Sequence, residues 1–320
     1  MSEIKPYTDL YERIAMLERR GMSIDRAFAQ QWLENVGYYR LSGYWYPYRE
    51  LRHGLRADRF VAGTAFADVA ALYEFDRKLR TLVHDAVERI EVSLRAHLNE
   101  SLGAIDPLSY LDPSNFRPTF AHDLWLQTTM RRVERARKRS EAIKHHDAKY
   151  DGSLPIWVLT EVLDFADVSK LYEALPSKMQ WSIAEAMGVE VDVTALSKNQ
   201  AQKAVKLHPL VRWFEHLAVI RNTSAHHARL WNQTFTPVGT AGLRTDARMS
   251  GLPVGQSERV FGALTVMGAL LETTSPGTTW LTKVADLIED SFLPIAGRSV
   301  KEMDFPAEWN NDPLWSRRAT

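Results

Sequence analysis

One stretch constrains the fold more than any other. Residues 66–102 read FADVAALYEFDRKLRTLVHDAVERIEVSLRAHLNESL, the longest helical signal in the chain. Leu72, Leu79, Val83, Ala86, Ile90 and Leu94 recur by three, four or seven residues, the spacing of a helix that buries one face. A second side carries Asp76, Arg80, Glu91 and Arg95, with Glu91 four residues ahead of Arg95 as a helical ion pair requires.

The rest of the chain follows the same period. Leu10, Ile14 and Leu17 predict a helix over 8–20, closed by Gly21 where a C-cap glycine belongs. Ser23 or Asp25 can cap a second helix that runs to about Val36. The stretch YYRLSGYWYPYRE holds glycine and Pro47, which argue against a regular helix there. Its rings suit packing of the N-terminal helices onto the core, or stacking on unpaired bases. A helix is expected over 123–148; from Arg131 to Lys149 it has eight Lys/Arg against three Asp/Glu. The segment LPIWVLTEVLDFADVSKLYEAL predicts a buried helix broken near Asp164, with a short helix over 176–188 and an apolar one from His208 to Ile220. Residues 233–256, rich in Thr, Gly and Pro, predict a loop ahead of helices over about 257–273 and 278–291. Nothing alternates strand with helix, and no internal repeat shows at a fixed period. The expected fold is all-α, divided as 1–62, 63–235 and 236–320.

Composition narrows the chemistry. At 320 residues and 45% hydrophobic, the chain can bury a real core. Lys+Arg and Asp+Glu are equal at 40 each, so any polyanion must be held by a local patch rather than a global field. The absence of cysteine removes disulfide scaffolds, thiolate zinc sites and cysteine nucleophiles. The polar start MSEIKPYTDLYERI does not read as a signal peptide, and no run of 18 apolar residues occurs, so a cytoplasmic protein without a membrane partner is expected. There is no phosphate loop, dinucleotide fingerprint, HExxH or GxSxG, and no cofactor is expected. His145 and His146 adjoin but diverge on a helix, so no metal site is expected either.

The candidate site is AVIRNTSAHHARLWN, residues 218–232, which crowds Arg221, Asn222, His226, His227 and Arg229 onto the end of an apolar helix. At about 100° per residue, Arg221 and His226 stand roughly 140° apart on a straight helix and cannot share one face. Either the helix is interrupted near Asn222–Ser224, where polar side chains compete for backbone hydrogen bonds, or these residues meet partners from elsewhere. The plainest alternative is a capped helix end with Arg221 paired to a carboxylate and the histidines solvated.

RNTSAH fits the R-x4-H signature of the HEPN superfamily of helical ribonucleases. The wider string RNTSAHHARLWN resembles the corresponding motif of Abi-like (abortive infection) proteins. GYYRLSGYWYPYR, FDRKLRTLVHDAVERIEVSLRAHL, LPIWVLTEVLDFADVSKLYEAL, HPLVRWFEHLAVIRN and MDFPAEWNNDPLW resemble that family in the same order. The resemblance implies a HEPN-type helical bundle with N- and C-terminal extensions, acting as a metal-independent, toxin-like endoribonuclease in phage defence. Such domains commonly pair, so it also implies a homodimer in which two motifs form one composite site. Arg221, His226 and Asn222 carry over as the catalytic set, with Asn222 orienting its neighbours, and His227 and Arg229 as possible support.

Arg80, Glu91 and Arg95 can line the same cleft and hold Arg221, or form an ordinary intrahelical pair. Arg131, Arg135 and Lys138 can track an RNA backbone, or belong to a solvated charged helix. If each chain works alone, His227, His84 or His97 would have to supply a second imidazole. Two other functions fit the same residues. One is a non-catalytic module that binds RNA through phosphate contacts. The other is a protein-interaction module controlled by an antitoxin partner.

Overall fold

The computed structural model describes residues 6–316, so the start MSEIK lies outside it. Among the described residues, thirteen α-helices and two two-stranded sheets confirm the all-α class. The chain divides into two units, Met1–Leu79 with Ala285–Val300, and Arg80–Val284 with Lys301–Thr320.

In the first unit, α1 (Leu10–Arg19) starts at Asp9, whose capping box with Glu12 satisfies two backbone donors that a helix leaves open. It ends at Gly21, with φ +95°. Asp25 caps α2 (Arg26–Asn35) by accepting from the Phe28 N–H. The tyrosine-rich stretch corrects an expectation, for Tyr38–Trp45 is a regular helix, α3. Gly37, at φ +88°, precedes it, and Pro47 falls just after it in a 3-10 turn. Burial of Leu41, Tyr44 and Trp45 outweighs the roughly 1 kcal/mol that Gly43 costs inside a helix. Tyr44, Trp45 and Tyr48 are packed, and Tyr39 and Tyr46 face solvent. Strands β1 (Arg49–Arg52) and β2 (Leu55–Phe60) form a hairpin whose turn, His53-Gly54, has positive φ at both residues. Helix α4 (Phe66–Gly103) begins in this unit, where Asp76 accepts from the Tyr44 hydroxyl at 2.6 Å.

In the second unit the expected long basic helix is two, α5 (His122–Arg137) and α6 (Glu141–Lys149). The break comes at Ser140, whose hydroxyl caps α6 through the Ile143 N–H. The short α7 (Ile156–Leu159) leads through a 3-10 turn to Asp164, which forms the capping box of α8 (Phe165–Ala174); the predicted break falls there. Then come α9 (Ser177–Ala186), α10 (Lys198–Lys206) and α11 (Leu210–Ala225). After a loop bearing the two-residue strands β3 (Val238–Gly239) and β4 (Gln256–Ser257), α12 (Val260–Thr274) is buried at every position from Val260 to Leu271. The last helix is α13 (Trp280–Asp286). Phe261, Phe305, Trp309 and Trp315 cluster, and the Trp315 indole donates to the Thr265 hydroxyl at 3.2 Å, fixing the tail to α12.

Candidate functional site

Helix α11 is apolar over its early turns because it packs between α8 and α12. Phe214 meets Tyr172 edge-on at 5.1 Å, and a β-carbon on Gly262 would lie 3.1 Å from the Trp213 ring. His216 belongs to this packed part: it is 5% exposed, and burial lowers its pKa to about 4 despite a bond with the Thr236 backbone. His208, just ahead of the helix, is 1% exposed; burial lowers it to about 4 as well, and its Nδ1 accepts from the Leu210 N–H.

The last turn is built differently. The Thr223 and Ser224 hydroxyls donate to the Val219 and Ile220 carbonyls at 2.8 and 2.9 Å, so they sit on the helix without interrupting it. The backbone is helical through Ala225, and the interruption considered near Asn222–Ser224 does not occur. His226 is the C-cap. The His227 N–H then donates to the Ser224 carbonyl at 2.9 Å, and the Ala228 N–H to the Thr223 carbonyl at 3.0 Å. These two bonds make a Schellman closure, which needs a left-handed residue at the position of His227. His227 has φ +57°, where a side chain with a β-carbon costs about 1 kcal/mol or more.

His226 and His227 are both exposed. Arg221 is half-buried and its Nη1 donates to Asn222 Oδ1 at 2.9 Å, so Asn222 orients the guanidinium. Behind Arg221 lies Glu91, 8% exposed. Burial pushes the Glu91 carboxyl above the ordinary range, Arg95 and then Arg221 pull it back, and Asp164 pushes it up. Arg95 pairs with Glu91 and also donates to the Leu163 carbonyl at 2.8 Å. Arg80, 5% exposed, reaches the Ala228 carbonyl at 3.5 Å. The polar side of α4 thus backs the motif at two levels, with Arg80 at the terminating turn and Glu91 at Arg221. By helix geometry Arg80, His84, Glu91 and Arg95 fall within roughly 60° of arc, and His97 is turned about 100° or more from that side. Arg229 lies over the Trp231 ring at 5.6 Å, and the Trp231 indole donates to Glu302 at 3.0 Å.

The basic helix adjoins this cluster through Asp164, which sequence reasoning identified only as a helix break. Arg132 bridges Asp164 at 2.8 Å and Asp167 at 2.9 Å, and Arg135 reaches Asp164 at 3.5 Å. Arg137 is taken up by Glu134 and Asp147. Arg131, Lys138, Arg139 and Lys149 are exposed and enter no ion pair among the described residues. Of the three basic residues singled out by sequence, Arg131 and Lys138 stand free, and Arg135 is shared with Asp164. The signal for Asp164 was there: an Asp directly before FADV, with a second acid three residues on, is a helix start.

Clefts of about 490, 460 and 440 Å³ are lined by other residues. Among the described residues no group of three or more His, Asp or Glu side chains is placed to hold a metal ion. No described helix is long and apolar enough to cross a membrane.

The chain is thus a helical protein that presents an Arg–Asn pair and an exposed histidine at one helix end, over a buried ion network. The chain belongs to the family of Abi-like proteins, whose model matches residues 31–232, more than half of its length. Membership assigns it a general role in abortive infection. No curated protein and no solved structure matches it.

Proposed function

We propose that this Abi-like protein is a HEPN-type, metal-independent endoribonuclease whose site is completed by two copies of the chain. The observation that carries the reading is the unbroken end of α11. It offers His226 to solvent and holds Arg221 against Asn222 and Glu91, yet keeps the two on different sides of one helix. RNA cleavage through the 2′-hydroxyl needs one group to take the proton of that hydroxyl as its oxygen attacks phosphorus. A second group must protonate the departing 5′-oxygen. Imidazole serves either role near neutral pH, and a guanidinium fork suits the non-bridging oxygens as charge builds on them. One chain supplies one such motif, and a two-fold pairing supplies two. The basic surface of Arg131 and Lys138 would hold the strand, and the Asp164 bridge makes it continuous with the motif's backing.

The test is incubation of purified protein with mixed RNAs in EDTA, followed by end-group analysis. The expected products carry 2′,3′-cyclic phosphate or 3′-phosphate. Activity that demanded a divalent cation and left 3′-hydroxyl ends would refute the chemistry. Mixing wild-type with His226→Ala subunits tests the composite site. Loss of most activity in the mixed dimer supports it, and retention of about half points to a site within each chain, with His227 or His84 as its second imidazole.

A further inference from the structure

Two large aromatic side chains are exposed among the described residues of the second unit, Trp157 at 47% and Tyr150 at 54%. Both line one cleft of about 440 Å³, together with His146, Pro107 and Pro155. Its walls are fixed. The Ile156 N–H donates to the Pro107 carbonyl at 2.9 Å, and the Tyr110 hydroxyl to the Leu154 carbonyl at 2.9 Å. The Tyr150 ring rests on His146 at 5.1 Å, with His145 at 5.9 Å. Flat apolar faces held rigid before a ligand arrives lose little freedom when they bind one.

The position of this cleft is set by a ladder of contacts along α4. The Trp157 ring covers Gly103, where a β-carbon would lie 3.5 Å from it. The Thr160 hydroxyl donates to Asn99 at 2.9 Å, the Leu163 carbonyl accepts from Arg95 at 2.8 Å, and Asp164 acts on Glu91. Residues 157–164 therefore run antiparallel to the last turns of α4. Their far end is the cleft, and their near end is the charge cluster behind Arg221. Gly103 and Glu91 are separated by on the order of 18 Å of helix, a few nucleotides of extended strand. Lys149 adjoins Tyr150, and Lys138 and Arg139 close α5; all three are exposed and outside any ion pair among the described residues. Two exposed aromatic faces with the free cation Lys149 next to them in the chain match a single-stranded nucleic acid, in which bases stack and phosphates meet positive charge.

We infer that the Tyr150–Trp157 cleft is a base-stacking subsite that holds an unpaired RNA base a few nucleotides from the R-x4-H motif. The inference rests on the proposed RNA reading and adds a substrate class to it: single-stranded RNA, or an unpaired loop.

The test measures binding of a labelled unpaired RNA and of a duplex to the full chain carrying His226→Ala, so that the RNA is not consumed. Trp157→Ala should weaken binding of the unpaired RNA by roughly five- to 100-fold, with the duplex less affected, and Trp157→Phe should restore most of it. An RNA made abasic at one position after another should lose affinity at one position in particular. That loss should vanish in Trp157→Ala, because the interaction it removes is already gone. Equal weakening of duplex and unpaired RNA, or a flat abasic scan, would overturn the subsite. A fall in sedimenting mass on Trp157→Ala would overturn it too, by assigning the cleft to a contact between copies. If the chain with Trp157 intact binds no RNA, the RNA reading itself fails; if it binds and Trp157→Ala changes nothing, only the subsite fails.

Discussion

Helices α9 and α11 end in the same pair of backbone hydrogen bonds. In α9 the Gly188 N–H donates to Glu185 and the Val189 N–H to Ala184; in α11 the donors are His227 and Ala228. The left-handed position is glycine in the first, at φ +78°, and histidine in the second, at φ +57°. At α9 glycine is dictated twice over, by its dihedral and by the Thr273 side chain that a β-carbon would strike. At α11 the position is exposed, and a side chain with a β-carbon is carried there against the dihedral. The α9 end has the residue that closure favours; the α11 end carries backbone strain where two imidazoles are exposed. Strain of this kind clusters at functional positions, in keeping with the role proposed above.

Four substitutions or conditions break or sharpen that contrast. The largest effect is expected at the α11 end, where His226→Ala or Arg221→Ala should cut the proposed RNA cleavage by about 100- to 10,000-fold. For the exposed His226 the denaturation midpoint should hardly move. Equal loss of stability and activity would return the motif to a structural role. Gly188→Ala should do the opposite, lowering stability by about 3 kcal/mol in urea denaturation through the Thr273 collision and the left-handed dihedral.

Acid provides the third. His208 and His216 titrate near 4 in the folded chain, against a reference of 6.5, so between those values the unfolded chain binds more protons. Their contribution to stability is complete above about pH 6.5 and declines as pH falls toward 4, at up to about 1.4 kcal/mol per pH unit for each ring. Urea denaturation across that window, with His216→Gln as comparison, should show a shallower slope in the variant. The smallest effect is His227→Gly, which relieves the dihedral but gives up the imidazole's own contacts and adds freedom to the unfolded chain, so stability should move by less than about 1 kcal/mol, with a smaller activity loss than His226→Ala. A His227→Gly variant destabilised by more than that would mean that the imidazole anchors the turn.

The elements most legible in the sequence were those whose signals are local. The Gly21 closure of α1, the Asp25 cap, the apolar face of α4 and the break at Asp164 all rest on residues within one or two turns of each other. Helix α3 was missed because Gly43 and Pro47 read as breakers, and burial of Tyr44 and Trp45 is invisible before the fold exists. Helix α10 was missed because KNQAQKAVK has almost no apolar face, although Ser197 and Gln200 form a capping box that could have revealed it. At the candidate site the motif stood out by composition. Arg80, Glu91 and Arg95 were legible as possible backing, but which of them meets which part of the motif was not, since Arg80 and Ala228 are 148 residues apart, and the part of Asp164 was missed. The left-handed His227 was hidden because no glycine marks it.

Asp164 carries a further consequence. Arg132 and Arg135 already grip a carboxylate that is tethered to the chain and never diffuses away. A small anion in solution competes with that carboxylate one contact at a time and at a disadvantage in local concentration. On the RNA reading proposed above, a strand of phosphates would meet Arg131 and Lys138 first, where no internal carboxylate competes among the described residues, and need only share the arginines beyond. That reading then requires a surface that discriminates by the length of an anion more than by its charge, weak toward free phosphate or mononucleotides and stronger toward polymers.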